Sequence, residues 1–262
     1  MKTLLNEYYA PITSTFGFLE LPFDQCLAAL REWNESLYTS VTVRQPKRAF
    51  PGSLKELQPL VYGSRPRQLL VSAGSWTAYF DSLARGTDPA AFVGHLSQQK
   101  LCQGLIVAAC APSKGDPGGR PIRNGVVGFT LYGPLKTDWL NEVRSVSVTD
   151  NYGKAAFQAV GLEQWFEEPS AHQARRVRDR FTPELLERYC QALGIDLFNP
   201  DFYGPESALI ESSMVPRPGR ADPVVGKGAR VVVESASLRE VSLVEAQTEQ
   251  GIVPGEALSV RW

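Results

Sequence analysis

The chain has 262 residues, 43% of them hydrophobic and 21% charged, with a net charge of −1. That apolar content excludes a disordered chain, which needs low hydrophobicity and a large net charge, and the near-neutral balance excludes a global field that would draw the chain to nucleic acid or anionic lipid. The length fits one large domain at roughly 100–200 residues per domain.

Residues 14–21, Ser-Thr-Phe-Gly-Phe-Leu-Glu-Leu, read as a strand that Pro22 ends. Leu27, Leu30, Trp33 and Leu37 then recur at three- and four-residue spacing, the apolar stripe of an amphipathic helix. Thr39–Arg44 alternates polar and β-branched residues and predicts a second strand. Residues 45–67 are rich in Pro and Gly, with one short helix expected over Ser53–Leu60. Arg67–Ala73 and Trp76–Leu83 predict a hairpin turning at Gly74-Ser75. Asp88-Pro89 is a helix start, because aspartate caps free N–H groups and proline fits the first helical position. Phe92, Leu96 and the stem of Lys100 should line that helix's inner face, and Gly104 should stop it.

Leu105–Ala111, Val126–Tyr132, Val143–Thr149 and Ala155–Leu162 predict four successive strands, hence an antiparallel meander. Ser113–Gly125 is a Gly- and Pro-rich hairpin loop, and Asn151-Tyr152-Gly153 a tight turn. The clearest helix signal is Thr182–Gly194: Thr182 to cap, Pro183 first, acids next, Gly194 to close. Residues 199–228 show little periodicity and read as an arm wrapping over the surface, before a closing hairpin of Val231–Val233 and Val241–Val244. The expected fold is α+β. It has a mainly antiparallel sheet with helices packed on one face, plus a C-terminal helix and extended arm. One domain over residues 1–262 is expected. Its one candidate sub-boundary, near 170, would divide a sheet–helix core (1–170) from the helix, arm and hairpin (171–262).

No run reaches the roughly 18 apolar residues that span a bilayer, and the N-terminus turns polar at Asn6-Glu7 before a signal-peptide core develops. The expectation is a cytoplasmic protein without membrane contact. Cys26, Cys102, Cys110 and Cys190 then read as small buried hydrophobes rather than disulfide partners. His95 and His172 are the two histidines, and no Cys-x-x-Cys or His-x-x-x-His accompanies them, so no metal and no cofactor is expected. Nucleotide-binding glycine motifs and the Gly-x-Ser-x-Gly elbow are missing, and no catalytic residue is assigned.

Two features point to a surface. Arg175-Arg176-Val177-Arg178-Asp179-Arg180 is the one strong charge cluster. Arginine's flat fork suits carboxylate, phosphate and aromatic partners; the competing reading is a solvated helix end paired with Glu167, Glu168, Glu184 and Glu187. In the Trp76–Asp81 strand, alternation sets Trp76, Ala78 and Phe80 on one face and Tyr79 on the other, free to meet a partner if only one face is core. Tyr79, Arg175, Arg176 and Arg178 are the candidate protein-binding residues.

The stretches Trp76–Asp81 with Gly86-Thr87-Asp88, and Arg178–Tyr189, resemble an uncharacterised family of bacterial proteins of about this length. The likeness runs from the first strand to about Tyr203. Such proteins resemble immunity proteins paired with large secreted toxins, which implies a protein partner and neutralisation of a cognate toxin by occlusion of its active site. No functional residue carries over. The function expected is a non-enzymatic protein-binding module, a nucleic acid being the less favoured partner. The alternative is a hydrolase or transferase whose site assembles from Asp81, Asp88 or His95.

Overall fold

Strand alternation and two well-marked helix starts produce the main elements. The structure is a computed structural model describing residues 1–62, 66–112, 124–151 and 153–213. Among the described residues nine strands form one sheet: β1 (Thr15–Leu19), β2 (Ser40–Arg44), β3 (Gln68–Ala73), β4 (Trp76–Asp81), β5 (Gly104–Cys110), β6 (Gly125–Thr137), β7 (Leu140–Asn151), β8 (Lys154–Gly161) and β9 (Ser207–Ser213). Their order is β2-β9-β3-β4-β1-β5-β6-β7-β8, and all neighbouring pairs are antiparallel. The α-helices among the described residues are α1 (Phe23–Leu37), α2 (Ala90–Lys100) and α3 (Pro183–Ala192). The α+β class and the β5–β8 meander follow the sequence reading. So does the β3–β4 hairpin, where Ala73 faces Trp76 and Gly74 takes φ +63°.

The helices do not share one face, which corrects the expected arrangement. On one side, Leu30 of α1 and Phe92, Val93 and Leu96 of α2 pack with Leu19, Leu70, Tyr79 and Ile210. On the other, Leu185, Leu186 and Tyr189 of α3 pack with Phe16, Phe18, Leu69, Phe80, Phe129 and Val146. Adjacent residues such as Tyr79 and Phe80 are therefore both buried, because successive side chains leave a strand on opposite faces. The α3-side cluster joins residues from both sides of position 170, Val146 with Phe181 and Ile195 among them.

The expected arm is also corrected. Ser207–Ser213 enters the sheet as β9 between β2 and β3, with Val43 opposite Ile210 and Leu70 opposite Ala208. The apolar run Ala208-Leu209-Ile210, buried throughout, is too short to show a period. Residues 214–228 of that arm, the hairpin of Val231–Val233 and Val241–Val244, and the loop from Ser113 to Arg123 lie outside the described residues.

α1 buries Cys26, Ala29, Leu30 and Asn34 while Leu37 stays exposed, so its inner face is rotated from the expected stripe. The Asn34 amide donates to Gln68 Oε1 at 2.6 Å and fixes that rotation. α2 ends at Leu101, left-handed at φ +54°, not at Gly104. Gly104 instead opens β5, and it lacks a side chain for a packing reason. A Cβ there would stand 2.5 Å from Val93 Cγ1, and one on Gly17 would stand 2.7 Å from both Val93 Cγ2 and Pro89 Cβ. α2 thus rests directly on the backbones of β1 and β5. α3 forms as its signals direct: Thr182 Oγ1 accepts from the Leu185 N–H at 3.3 Å, and Gly194 turns left-handed at φ +78°.

Gly104→Ala should destabilise the fold by about 2 kcal/mol through overpacking. Combined with Val93→Ala, the loss should fall short of the sum of the two single losses by about 1 kcal/mol, since the pair shares one contact. Urea unfolding of the four-member cycle measures this.

Candidate protein-interaction surface

Residues 162–182 link β8 to α3, and a buried charge pair sets their path. Arg144 of β7 grips Glu167 with two parallel bonds, Nε to Oε1 at 2.8 Å and Nη2 to Oε2 at 2.7 Å. The two side chains are 8% and 0% exposed. Arg144 also donates to the Gly161 carbonyl at 3.1 Å, and Glu167 Oε1 accepts the Gln164 N–H at 2.9 Å. A buried pair is tolerable only when its remaining polar atoms are bonded in this way. Phe166 beside it packs edge-on against Phe129 and Tyr189. The Tyr189 hydroxyl accepts the Glu168 N–H at 3.1 Å and lies 3.1 Å from His172 Nε2. Burial lowers the His172 pKa and raises the Tyr189 hydroxyl. The Tyr189 contact holds the imidazole in place against the link.

Anchored at these points, the link returns across the β7–β8 hairpin as a short 3-10 turn, Val177–Asp179, which touches both strands. Arg178 bonds Asp150 at 2.7 Å and the Gly153 carbonyl at 3.2 Å. The Arg180 guanidinium sits 5.8 Å from the Phe157 ring centroid and its Nε donates to the Ala174 carbonyl. Ala155, Arg176, Val177, Arg178 and Asp179 line a groove of about 490 Å³.

The carboxylates expected to neutralise this cluster serve other cations. Glu167 holds Arg144, Glu168 holds Arg188 at 2.9 Å, and Glu187 holds Lys2 at 2.6 Å. Glu184 lies in the first turn of α3, where backbone N–H and Thr182 hydrogen bonds hold its carboxyl below the usual range. Arg175 and Arg176 are exposed, and among the described residues neither side chain has an ion pair or a hydrogen bond. Trp165, on the same link, is 81% exposed.

Tyr79 does not belong to this surface. It is 3% exposed and stacked on Phe92 with centroids 4.2 Å apart. Its hydroxyl accepts from Gln68 Nε2 at 3.3 Å and reaches Asp81 Oδ2 at 3.5 Å. The expectation failed because β4 lies mid-sheet, with α1 and α2 covering one face and Phe50 and Tyr203 packed against Phe80 on the other, so it has no wet face. Trp76, on the α3 side, is also buried and donates its indole N–H to the Leu193 carbonyl at 3.0 Å.

The residues proposed for an enzymatic site are engaged elsewhere. Asp81 accepts the Leu83 N–H at 2.9 Å and the Asp88 N–H at 3.0 Å, organising the turn after β4. Thr87 Oγ1 closes that turn, accepting the Asp81 N–H at 3.1 Å and donating to the Ile12 carbonyl at 3.0 Å. Asp88 Oδ1 reaches the Ala90 N–H at 3.4 Å as a weak cap. His95 is exposed and stacks on Trp33 at 5.0 Å, away from both carboxylates. Burial raises the Cys26, Cys102 and Cys190 thiols, Cys102 to about 11, and a protonated thiol is a poor nucleophile. Among the described residues no three His, Cys, Asp or Glu side chains are grouped to hold a metal ion, and no helix is long and apolar enough to cross a membrane.

No family model, curated protein or solved structure matches the chain.

Burial raises the Asp81 carboxyl to about 6 from its ordinary 3.8, against the lowering effect of its two backbone N–H donors. The folded state therefore holds a proton that the unfolded chain releases between about pH 4 and pH 6. Through that window stability should fall as pH rises, by up to about 3 kcal/mol, and level off above it. The wild-type minus Asp81→Asn difference in unfolding free energy, measured from pH 4 to 7, should show this fall.

Proposed function

We propose that this protein is a non-enzymatic binding module that holds another protein against its Arg175–Arg180 face. In its specific form it is a bacterial immunity protein that blocks a secreted toxin by covering the toxin's active site. One observation supports the reading: the Arg175 and Arg176 side chains are exposed and have no ion pair among the described residues, while Glu167, Glu168 and Glu187 are each bound to another cation. Two exposed arginines and an exposed tryptophan on one link have the composition of an interface anchor. Stable interfaces bury roughly 1,600 Å² and depend on a few Arg, Trp and Tyr side chains. Occlusion needs shape and charge complementarity, not a catalytic group. The resemblance over Trp76–Asp81 and Arg178–Tyr189 suggests the same kind of partner. Arginine also suits phosphate, but a net charge of −1 favours an acidic protein over a nucleic acid.

Co-purification with the product of the neighbouring gene tests the proposal. A stoichiometric complex is expected. Arg175→Glu with Arg176→Glu should weaken it at least about tenfold, or about 1.4 kcal/mol, without lowering Tm, while Tyr79→Phe should leave it intact. No complex, or one indifferent to the arginine reversals, refutes the reading.

A further inference from the structure

The sheet ends at β8, which pairs with β7 on one side and with nothing on the other among the described residues. Exposed edges are normally guarded by shortness, charge, proline or bulges. The opposite edge follows that rule: β2 is five residues long and closes with Arg44, which bonds Glu56 and Glu211. β8 does not. It runs eight residues, Lys-Ala-Ala-Phe-Gln-Ala-Val-Gly, with one charge and no proline.

The register shows which backbone groups are open. Asn151 faces Lys154 across two intervening residues. In such a hairpin the closing pair is the hydrogen-bonded one, and bonded pairs then recur at every second residue. Ala156, Gln158 and Val160 thus bond β7. The Leu162 N–H, which donates to the Val143 carbonyl at 2.9 Å, keeps the same phase. The N–H and C=O groups of Ala155, Phe157 and Ala159 point outward. The Val177–Asp179 turn touches β7 as well as β8, so it lies over the sheet's face, and among the described residues no strand lies along the β8 edge. Ala155 shares its groove with Arg176 and Arg178, and exposed Lys154 begins the strand.

We propose that β8 takes up an extended acidic segment of a partner protein as a tenth strand. The segment's backbone bonds Ala155, Phe157 and Ala159, and its carboxylates meet Arg175 and Arg176. Main-chain bonds supply the affinity and the flanking cations the selectivity, as in other strand-addition complexes. This rests on the arginine-face reading above and gives it a binding mode. A second copy is the weaker fit. β8 itself carries Lys154 and no carboxylate, so pairing β8 to β8 offers the arginines of each protomer no acid from the added strand.

The test is a random peptide library panned on the full chain, with hits measured by fluorescence anisotropy. Enriched peptides should alternate Asp or Glu with β-branched residues and lack proline. Ala159→Pro removes one outward N–H and spares every bond to β7, a position where edge strands tolerate proline; it should weaken binding at least about tenfold. N-methylation of alternate peptide amides should do the same without altering the protein, so the test holds even if that variant unfolds. Arg175→Ala with Arg176→Ala should also weaken binding. Acidic peptides that need the arginines but ignore both Ala159→Pro and N-methylation overturn strand addition and leave arginine-face binding standing. Loss of the co-purifying complex, with these peptides still bound at the edge, removes the wider reading instead. A panning with no acidic enrichment overturns the proposal. So does a wild-type dimer in sedimentation that Ala159→Pro makes monomeric.

Discussion

All six residues of β4, Trp76 to Asp81, are withdrawn from water, and this requires the sheet to be covered on both sides at its centre. α2 supplies one cover and can approach closely because Gly17 and Gly104 leave bare backbone beneath Val93 and Pro89. On the other side Phe50 and Tyr203 lie against Phe80, and α3 sets Tyr189 and Leu186 against Phe129 of β6 and its neighbours. Cover thins towards β8, where residue after residue is exposed. The sheet thus has a dry, over-determined middle and a wet margin at β8. The features suited to recognition collect at that margin.

The link over that margin is held by a buried ion pair as well as by the apolar contacts of Phe166 and Phe181. Arg144 and Glu167 are almost completely desolvated, and such a pair adds little net stability over a hydrophobic substitute. What it does is fix position. A forked bond allows one geometry, and the Tyr189 hydroxyl fixes the chain again at Glu168. The turn carrying Arg176 and Arg178 is therefore held before any partner arrives. A surface set beforehand loses less side-chain and backbone freedom on association, which is where much binding energy is otherwise spent.

Elements with strong local signals were legible from the residues alone. The Thr182-Pro183 start of α3, the turn at Gly74 and the four-strand meander each depend on neighbours within a few positions. What could not be read depended on distant residues. The β4 pattern reads the same whether one face or both are covered, because aromatic and aliphatic residues serve either side; Tyr79 was misplaced for that reason. β9 holds only three buried apolar residues in succession and has no pattern apart from its two neighbours. Gly104 looked like a helix stop because the sequence does not show Val93 lying over it. Of the candidate surface, the arginine cluster was evident as composition. That its acidic neighbours were already occupied was not, although Arg144 gave a clue: it shares parity with Val146 and Val148 in an alternating strand, which placed a cation on a core face. That side chain needed a buried partner.

The position of β9 has a consequence for how the chain is completed. β2, formed from residues 40–44, touches the rest of the sheet through β9 alone, which arrives some 160 positions later in the sequence. While the polypeptide is being synthesised, β2 has no strand to lie against, and β3 presents a bare flank, until Ser213 has left the ribosome. One side of the sheet is finished near the very end of the described chain, so a nascent product stopped before Ser207 would carry an unprotected edge made of Leu69, Leu70 and Val71.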